Sequence, residues 1–136
     1  CLRVISGQGT PLLWWSAAIA AILGLGWWIF GRDMRFGVVL LAAGATWLGW
    51  MPNAARSTFF FYAIMMIPFT ATGLAMALGK ALGPADAGRR RRIGAIAVGA
   101  LVALIVADFW FIYPILTDQL MTRRAWSLRM WFRSWI

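Results

Sequence analysis

The chain has 136 residues, 62% of them hydrophobic, and thirteen Lys and Arg against four acids give a formal net charge of +9. The apolar fraction is well above the ~45–50% of soluble domains, which excludes an ordinary soluble enzyme and marks an integral membrane protein. The basic residues lie between apolar runs, so the charge reads as a topology signal and a contact with anionic lipid, with no nucleic-acid partner.

The opening "CLRVISGQGTPLLWW" has no initiating Met and already adjoins an apolar run. A lipoprotein beginning at a modified Cys would continue into a polar linker, which is missing. The expectation is a piece of a longer protein whose N-terminal part is absent. Cys1 is the single cysteine and makes no internal disulfide.

Four spans are predicted: Leu12–Phe30, Phe36–Met51, Thr58–Gly79 and Ile93–Tyr113. A helix needs about 20 residues to cross the ~30 Å hydrocarbon layer, so the second span is short and Pro52 stops it. The runs are too long and too uniformly apolar for barrel strands. The predicted fold class is therefore an all-α integral membrane domain of four transmembrane helices. Pro68 should kink the third span, and Pro114 follows directly on the fourth. In the fourth, Ala95, Gly99, Ala103 and Ala107 recur every four residues, a small-residue stripe that predicts burial against another helix.

Four crossings put Arg32, Arg35, Lys80 and Arg89 to Arg92 on one side, and Arg3 and Arg56 on the other, seven charges against two. The richer side is predicted to be cytoplasmic. The chain is thus expected to be a multi-pass plasma-membrane protein with an extracytoplasmic C-terminus. Trp27 and Trp28 fall at the inner boundary, and Trp14, Trp15, Trp47, Trp50 and Trp110 toward the outer one, as an aromatic belt requires.

The interfacial tail, residues 119–136, ends "RAWSLRMWFRSWI". On a helix, Leu128, Trp131, Phe132 and Trp135 form one apolar stripe, with Arg129 and Arg133 on a neighbouring face. That pattern predicts a C-terminal amphipathic helix in the headgroup plane, its arginines reaching lipid phosphates.

Candidate chemistry is sparse. The chain has no His, and its four acids are all Asp. There is no catalytic triad, Cys or His cluster, phosphate-binding glycine loop or carboxylate pair. No catalytic residue, metal or cofactor is therefore expected in this chain. Asp108 is the one acid inside a span. Such acids are costly and often functional, but near the outer boundary a structural role is the simpler expectation. Arg56 begins the third span, with Tyr62 about one turn further along. It either anchors the helix among ordinary headgroups or holds a specific lipid phosphate through two parallel hydrogen bonds.

"GTPLLWW" at 9–15, "RSTFFFYAIMMIPF" at 56–69, "FIYPILT" at 111–117 and "RMWFRSWI" at 129–136 occur in this order. Together they resemble the C-terminal membrane part of actinobacterial-type polyprenol-phosphate-mannose–protein mannosyltransferases, bacterial relatives of the protein O-mannosyltransferases. The resemblance covers nearly the whole chain, and the ordered set is more specific than any one motif. It implies part of a larger C-type glycosyltransferase bundle. Such enzymes transfer mannose from polyprenyl-phosphate-mannose to Ser or Thr of secreted proteins on the extracytoplasmic face. The family's catalytic Asp-Glu pair lies in a first outer loop that nothing here matches, so the chain would lack the general base. Arg56 and Tyr62 would then line the lipid-phosphate site. The alternative is a small non-enzymatic multispanning protein, transporter-like or an assembly subunit. A transporter would usually place an essential acid near the midplane, and none lies there. A lipid-phosphate-sugar transferase of other sugar specificity also stays open, because no sugar-reading residue is identifiable.

Overall fold

The computed structural model describes residues 3, 5–7, 9–49 and 60–131, with backbone only for 60–62. Five α-helices follow in order: α1 (Pro11–Ile29), α2 (Met34–Leu48), α3 (Ile67–Leu82), α4 (Gly88–Leu116) and α5 (Arg123–Ser127). A 3-10 helix, Phe60–Met66, leads into α3. Three stretches, Pro11–Ile29, Ala63–Leu82 and Gly88–Leu116, are long and apolar enough to cross a membrane, and Met34–Leu48 is a shorter apolar helix.

The first four helices run up and down. One end collects the start of α1, the end of α2 and the end of α4. The opposite end collects the α1–α2 and α3–α4 loops. Helix α1 starts at Pro11, whose fixed φ and missing N–H suit the first helical position. It stops at Gly31 and Arg32, the latter in the left-handed region at φ 52°, and Asp33 N–H returns to the Trp27 carbonyl at 3.1 Å.

Ala20, Phe36, Leu74 and Ala77 form the core among α1, α2 and α3. Phe36 is 2% exposed. A Cβ at Gly24 would come within 2.7 Å of its ring, so α1 and α2 approach as closely as they do because position 24 has no side chain. Close packing of this kind is what holds apolar helices together where lipid is as apolar as leucine. Helix α4 meets α3 at Gly94, where a Cβ would lie 2.5 Å from the Ala81 carbonyl oxygen.

The structure departs from the sequence expectation in the limits of two helices and in the burial of one helix face. In the third span the α-helix begins at Ile67, and Pro68 lies in its first turn instead of kinking a continuous helix. The carbonyls around it are taken by side chains: Thr70 Oγ1 donates to Met66 and Ile67, and Thr72 Oγ1 to Pro68 at 2.7 Å. Helix α3 then runs on to Leu82 and is closed by Gly83 at φ 73°, a left-handed position that glycine takes without strain. Helix α4 begins at Gly88, so Arg89 to Arg92 are its first turn and not loop, and it continues through Pro114 to Leu116. Its 29 residues span ~44 Å, more than the hydrocarbon layer, so both additions fall at its ends. Finally, Ala95, Gly99, Ala103 and Ala107 are exposed. Gly99 has no neighbour within 4 Å of a would-be Cβ. The stripe faces away from the other described helices.

Candidate functional site

The end of the bundle shared by the start of α1 and the end of α4 holds most of the predicted site residues that are described. Pro11 offers no N–H, so Leu12 and Leu13 are the first helical amides of α1 without an intrahelical acceptor. Leu12 N–H donates to Asp108 Oδ2 at 2.9 Å, 96 positions away in sequence. Asp108 is 6% exposed. A carboxylate at a helix N-terminus satisfies an orphan donor and opposes the positive end of the helix dipole. The acid in the fourth span thus has a structural partner, and it locks α4 to the start of α1.

Below Asp108, Ile112 and Ile115 are fully buried. Ile115, Met121 and Met130 form a second small core, with Ala125 and Trp126 against it. Thr122 caps α5 by accepting from Ala125 N–H at 3.2 Å. Pro114 lies inside α4 and has no N–H to give the Trp110 carbonyl one turn back. The neighbouring Phe111 carbonyl accepts from Arg129 Nε at 2.6 Å, while Arg129 Nη1 donates to the Ala125 carbonyl at 2.7 Å. The same guanidinium lies 4.6 Å from the Phe111 ring centroid, a cation–π distance.

This geometry corrects the expected amphipathic helix over its described part. Helix α5 ends at Ser127, and Leu128 to Trp131 form a turn and irregular chain. The backbone tightens there, with Arg129 N–H to the Trp126 carbonyl and Met130 N–H to the Ser127 carbonyl. The turn places Met130 in the second core and Arg129 on α4, which a continued helix would not do. Leu128 is 62% exposed, and Trp131 packs its ring 5.7 Å from that of Trp15 in α1. Phe132, Arg133 and Trp135 lie outside the described residues, as does Arg56. The backbone of Tyr62 is in the 3-10 helix at this same end, but its side chain lies outside the described set.

The opposite end carries a separate polar cluster. Asp33 pairs with Arg35 Nε at 3.1 Å and with Lys80 Nζ at 3.0 Å. Hydrogen bonds from Arg35, then from Lys80, hold the Asp33 carboxyl below the usual carboxylate range. Lys80 Nζ also lies 5.3 Å from the Trp27 ring centroid. Loop α1–α2 is thereby fastened to the end of α3. Sequence reading missed this pairing and the Arg129 clasp. The available signals were the oppositely charged residues at two loops of one side, and a proline near a helix end followed by an arginine.

Among the described residues no group of His, Cys, Asp or Glu could hold a metal. No family model matches the chain, and no solved structure matches it. Curated relatives do. Over 137 residues the chain is 38% identical to the polyprenol-phosphate-mannose–protein mannosyltransferase of Mycobacterium tuberculosis (strain ATCC 25618 / H37Rv), covering 99% of this chain and 26% of that protein. It is 36% identical over 138 residues to the protein of that name from Mycolicibacterium smegmatis (strain ATCC 700084 / mc(2)155), and 34% identical over 139 residues to that from Corynebacterium glutamicum, with the same two coverages. The chain spans about a quarter of the length of the curated relatives it matches. The resemblance carried by its motifs therefore extends along the whole chain, which corresponds to a segment of the polyprenol-phosphate-mannose–protein mannosyltransferases.

Proposed function

We propose that the chain is the C-terminal membrane segment of a protein O-mannosyltransferase. The enzyme moves mannose from polyprenyl-phosphate-mannose to Ser or Thr hydroxyls of secreted proteins, on the extracytoplasmic face of the plasma membrane. The observation that carries this reading is the 34–38% identity along 99% of the chain to relatives of that name.

In this reading four helices cross the membrane, Arg89 to Arg92 are cytoplasmic, and the α5 end is outside. The general base for the acceptor hydroxyl comes from the enzyme's remainder, as does the partner for the exposed Ala95–Gly99–Ala103–Ala107 stripe, which completes a larger C-type bundle. This segment supplies a wall of the donor cavity. Its tail clamps the outer interface through Leu128, Trp131, Phe132 and Trp135, with Arg133 at headgroups.

Arg56 and Tyr62 seat the donor phosphate. An anion near hydrocarbon is costly without a cation, and a guanidinium offers two parallel bonds where Lys offers a point charge. In the full-length enzyme Arg56→Lys should lower transfer roughly ten- to a hundredfold, the worth of one charge-assisted contact of ~1.5–3 kcal/mol. Unchanged transfer by Arg56→Ala at limiting donor would make Arg56 an anchor only.

The function is tested with right-side-out vesicles that contain the full-length protein and labelled polyprenyl-phosphate-mannose. A membrane-impermeant, threonine-rich peptide added outside should acquire label. Transfer in inverted vesicles alone would overturn the sidedness, and no transfer in either would overturn the function.

A further inference from the structure

Beyond the Leu12–Asp108 bond, α1 and α4 are separated by a trench floored by α3. Its volume is about 420 Å³, and its walls include Leu23 and Trp27 of α1, Leu74 and Leu78 of α3 and Leu101 of α4. A second recess of about 550 Å³ lies where α3 ends and α4 begins, lined by Ala81, Arg89, Arg90, Ile93, Gly94 and Ala97. Ala81 borders both recesses. Ile93, Ala97 and Leu101 are four residues apart, hence on one face of α4. The two recesses adjoin at Ala81, the one at the loop end cationic and the inner one apolar.

Two features say what fits it. The rise from Arg90 to Leu101 is ~16 Å, close to the ~15 Å of one leaflet's hydrocarbon. Arg89 to Arg92 are all exposed. Among the described residues none of them pairs with a carboxylate, and Asp33 at this end is taken by Arg35 and Lys80. A cationic mouth over a leaflet-deep apolar trench is complementary to one molecule with an anionic head and a hydrocarbon tail.

We propose that this trench binds an anionic phospholipid of the leaflet on the α3–α4 loop side. The phosphate rests on Arg89 and Arg90, and one acyl chain runs along Ile93, Ala97 and Leu101 between α3 and α1. Anionic heads are selected because a zwitterionic lipid carries its own cation beside the phosphate. The site is at the opposite end of the bundle from Asp108 and α5, and it stands whether or not the proposed reaction does.

The test uses the full-length protein in phosphatidylcholine nanodiscs with a phosphatidylglycerol probe that carries a photoreactive diazirine in its acyl chain. Adducts should map to residues 93–101 and be competed by unlabelled phosphatidylglycerol but not by phosphatidylcholine. Arg89→Gln with Arg90→Gln should cut labelling at subsaturating probe by about tenfold or more, and Ala97→Trp should block it by filling the trench. Should those variants misfold, the competition on the unaltered protein decides alone. Adducts scattered over the lipid-facing helices, or equal competition by phosphatidylcholine, would overturn the proposal. So would a cross-link from an Ala97→Cys variant to another span, because a helix would then occupy the trench.

Discussion

Replacing Asp108 with alanine should release the start of α1 from α4. The carboxylate accepts Leu12 N–H at 2.9 Å and is 6% exposed, so no water stands ready to replace it. A hydrogen bond to a charged group is worth ~1.5–3 kcal/mol, and an amide left buried without a partner costs ~1–3 kcal/mol. These are two views of one loss and do not add. The expected destabilisation by Asp108→Ala is therefore about 2–3 kcal/mol, a factor of roughly 30 to 150 in the unfolding constant. Asp108→Asn keeps a carbonyl acceptor, and a neutral bond is about half as strong as a charge-assisted one, so that variant should lose about 1 kcal/mol. The assay is equilibrium unfolding in mixed micelles of rising denaturing-detergent fraction, followed by tryptophan emission; Trp14 and Trp15 lie in the first turns of α1. If Asp108→Ala unfolds within ~0.5 kcal/mol of the parent, the Leu12 bond contributes nothing and the structural assignment of Asp108 fails.

Asp33 should make the loop end acid-sensitive. Its lowered folded-state pKa means the pairing with Arg35 and Lys80 is fully present above the unfolded carboxyl value of ~3.9 and fades as pH falls through the lower folded-state value. Thermal stability measured from pH 6 to pH 3 should therefore drop less for Asp33→Asn than for the parent, and parallel curves would contradict the pairing. Gly94→Ala drives a methyl into the Ala81 and Leu82 carbonyls and should cost about 1–3 kcal/mol in the same micelle assay. In this segment alone Gly99→Ala meets open space and should be neutral or slightly stabilising, whereas in the full-length enzyme, where the stripe is proposed to have its partner, it should destabilise. Arg129→Gln removes both carbonyl contacts and the stacking on Phe111, so limited trypsin cleavage after Arg123 or Arg124 should accelerate. Arg129→Lys should restore protection only in part, since a point charge does not reproduce the planar fork.

The all-helical character and the places of the apolar runs were legible because run length and Gly or Pro punctuation are local signals. The exact ends were not. Pro68 reads as a kink in sequence, but Thr70 and Thr72 take up the carbonyls near it, so it opens an α-helix instead. Arg89 to Arg92 read as loop because charge is excluded from hydrocarbon, yet α4 is long enough to hold them beyond it. Asp108 could be seen as an anomaly, but its partner is 96 residues away and no local pattern encodes that distance. The tail shows the reverse error. The periodicity of Leu128 and Trp131 fits a helix, but it carries no information about the acceptor on Phe111 that draws Arg129 back. The small-residue stripe on α4 is visible in the sequence, but the burial expected of it is not met, since the described helices leave all four residues exposed.

The central claim, that this segment belongs to an enzyme taking mannose from a lipid phosphate, is tested most directly by defined reconstitution. Purified full-length protein in liposomes would receive either polyprenyl-phosphate-mannose or a nucleotide-linked mannose, each with a threonine-rich peptide. The account predicts peptide labelling from the lipid donor alone, with the mannose released by alkaline β-elimination as expected of a Ser or Thr linkage. Labelling from the nucleotide donor without lipid, or no labelling by protein whose helices are intact, would contradict it.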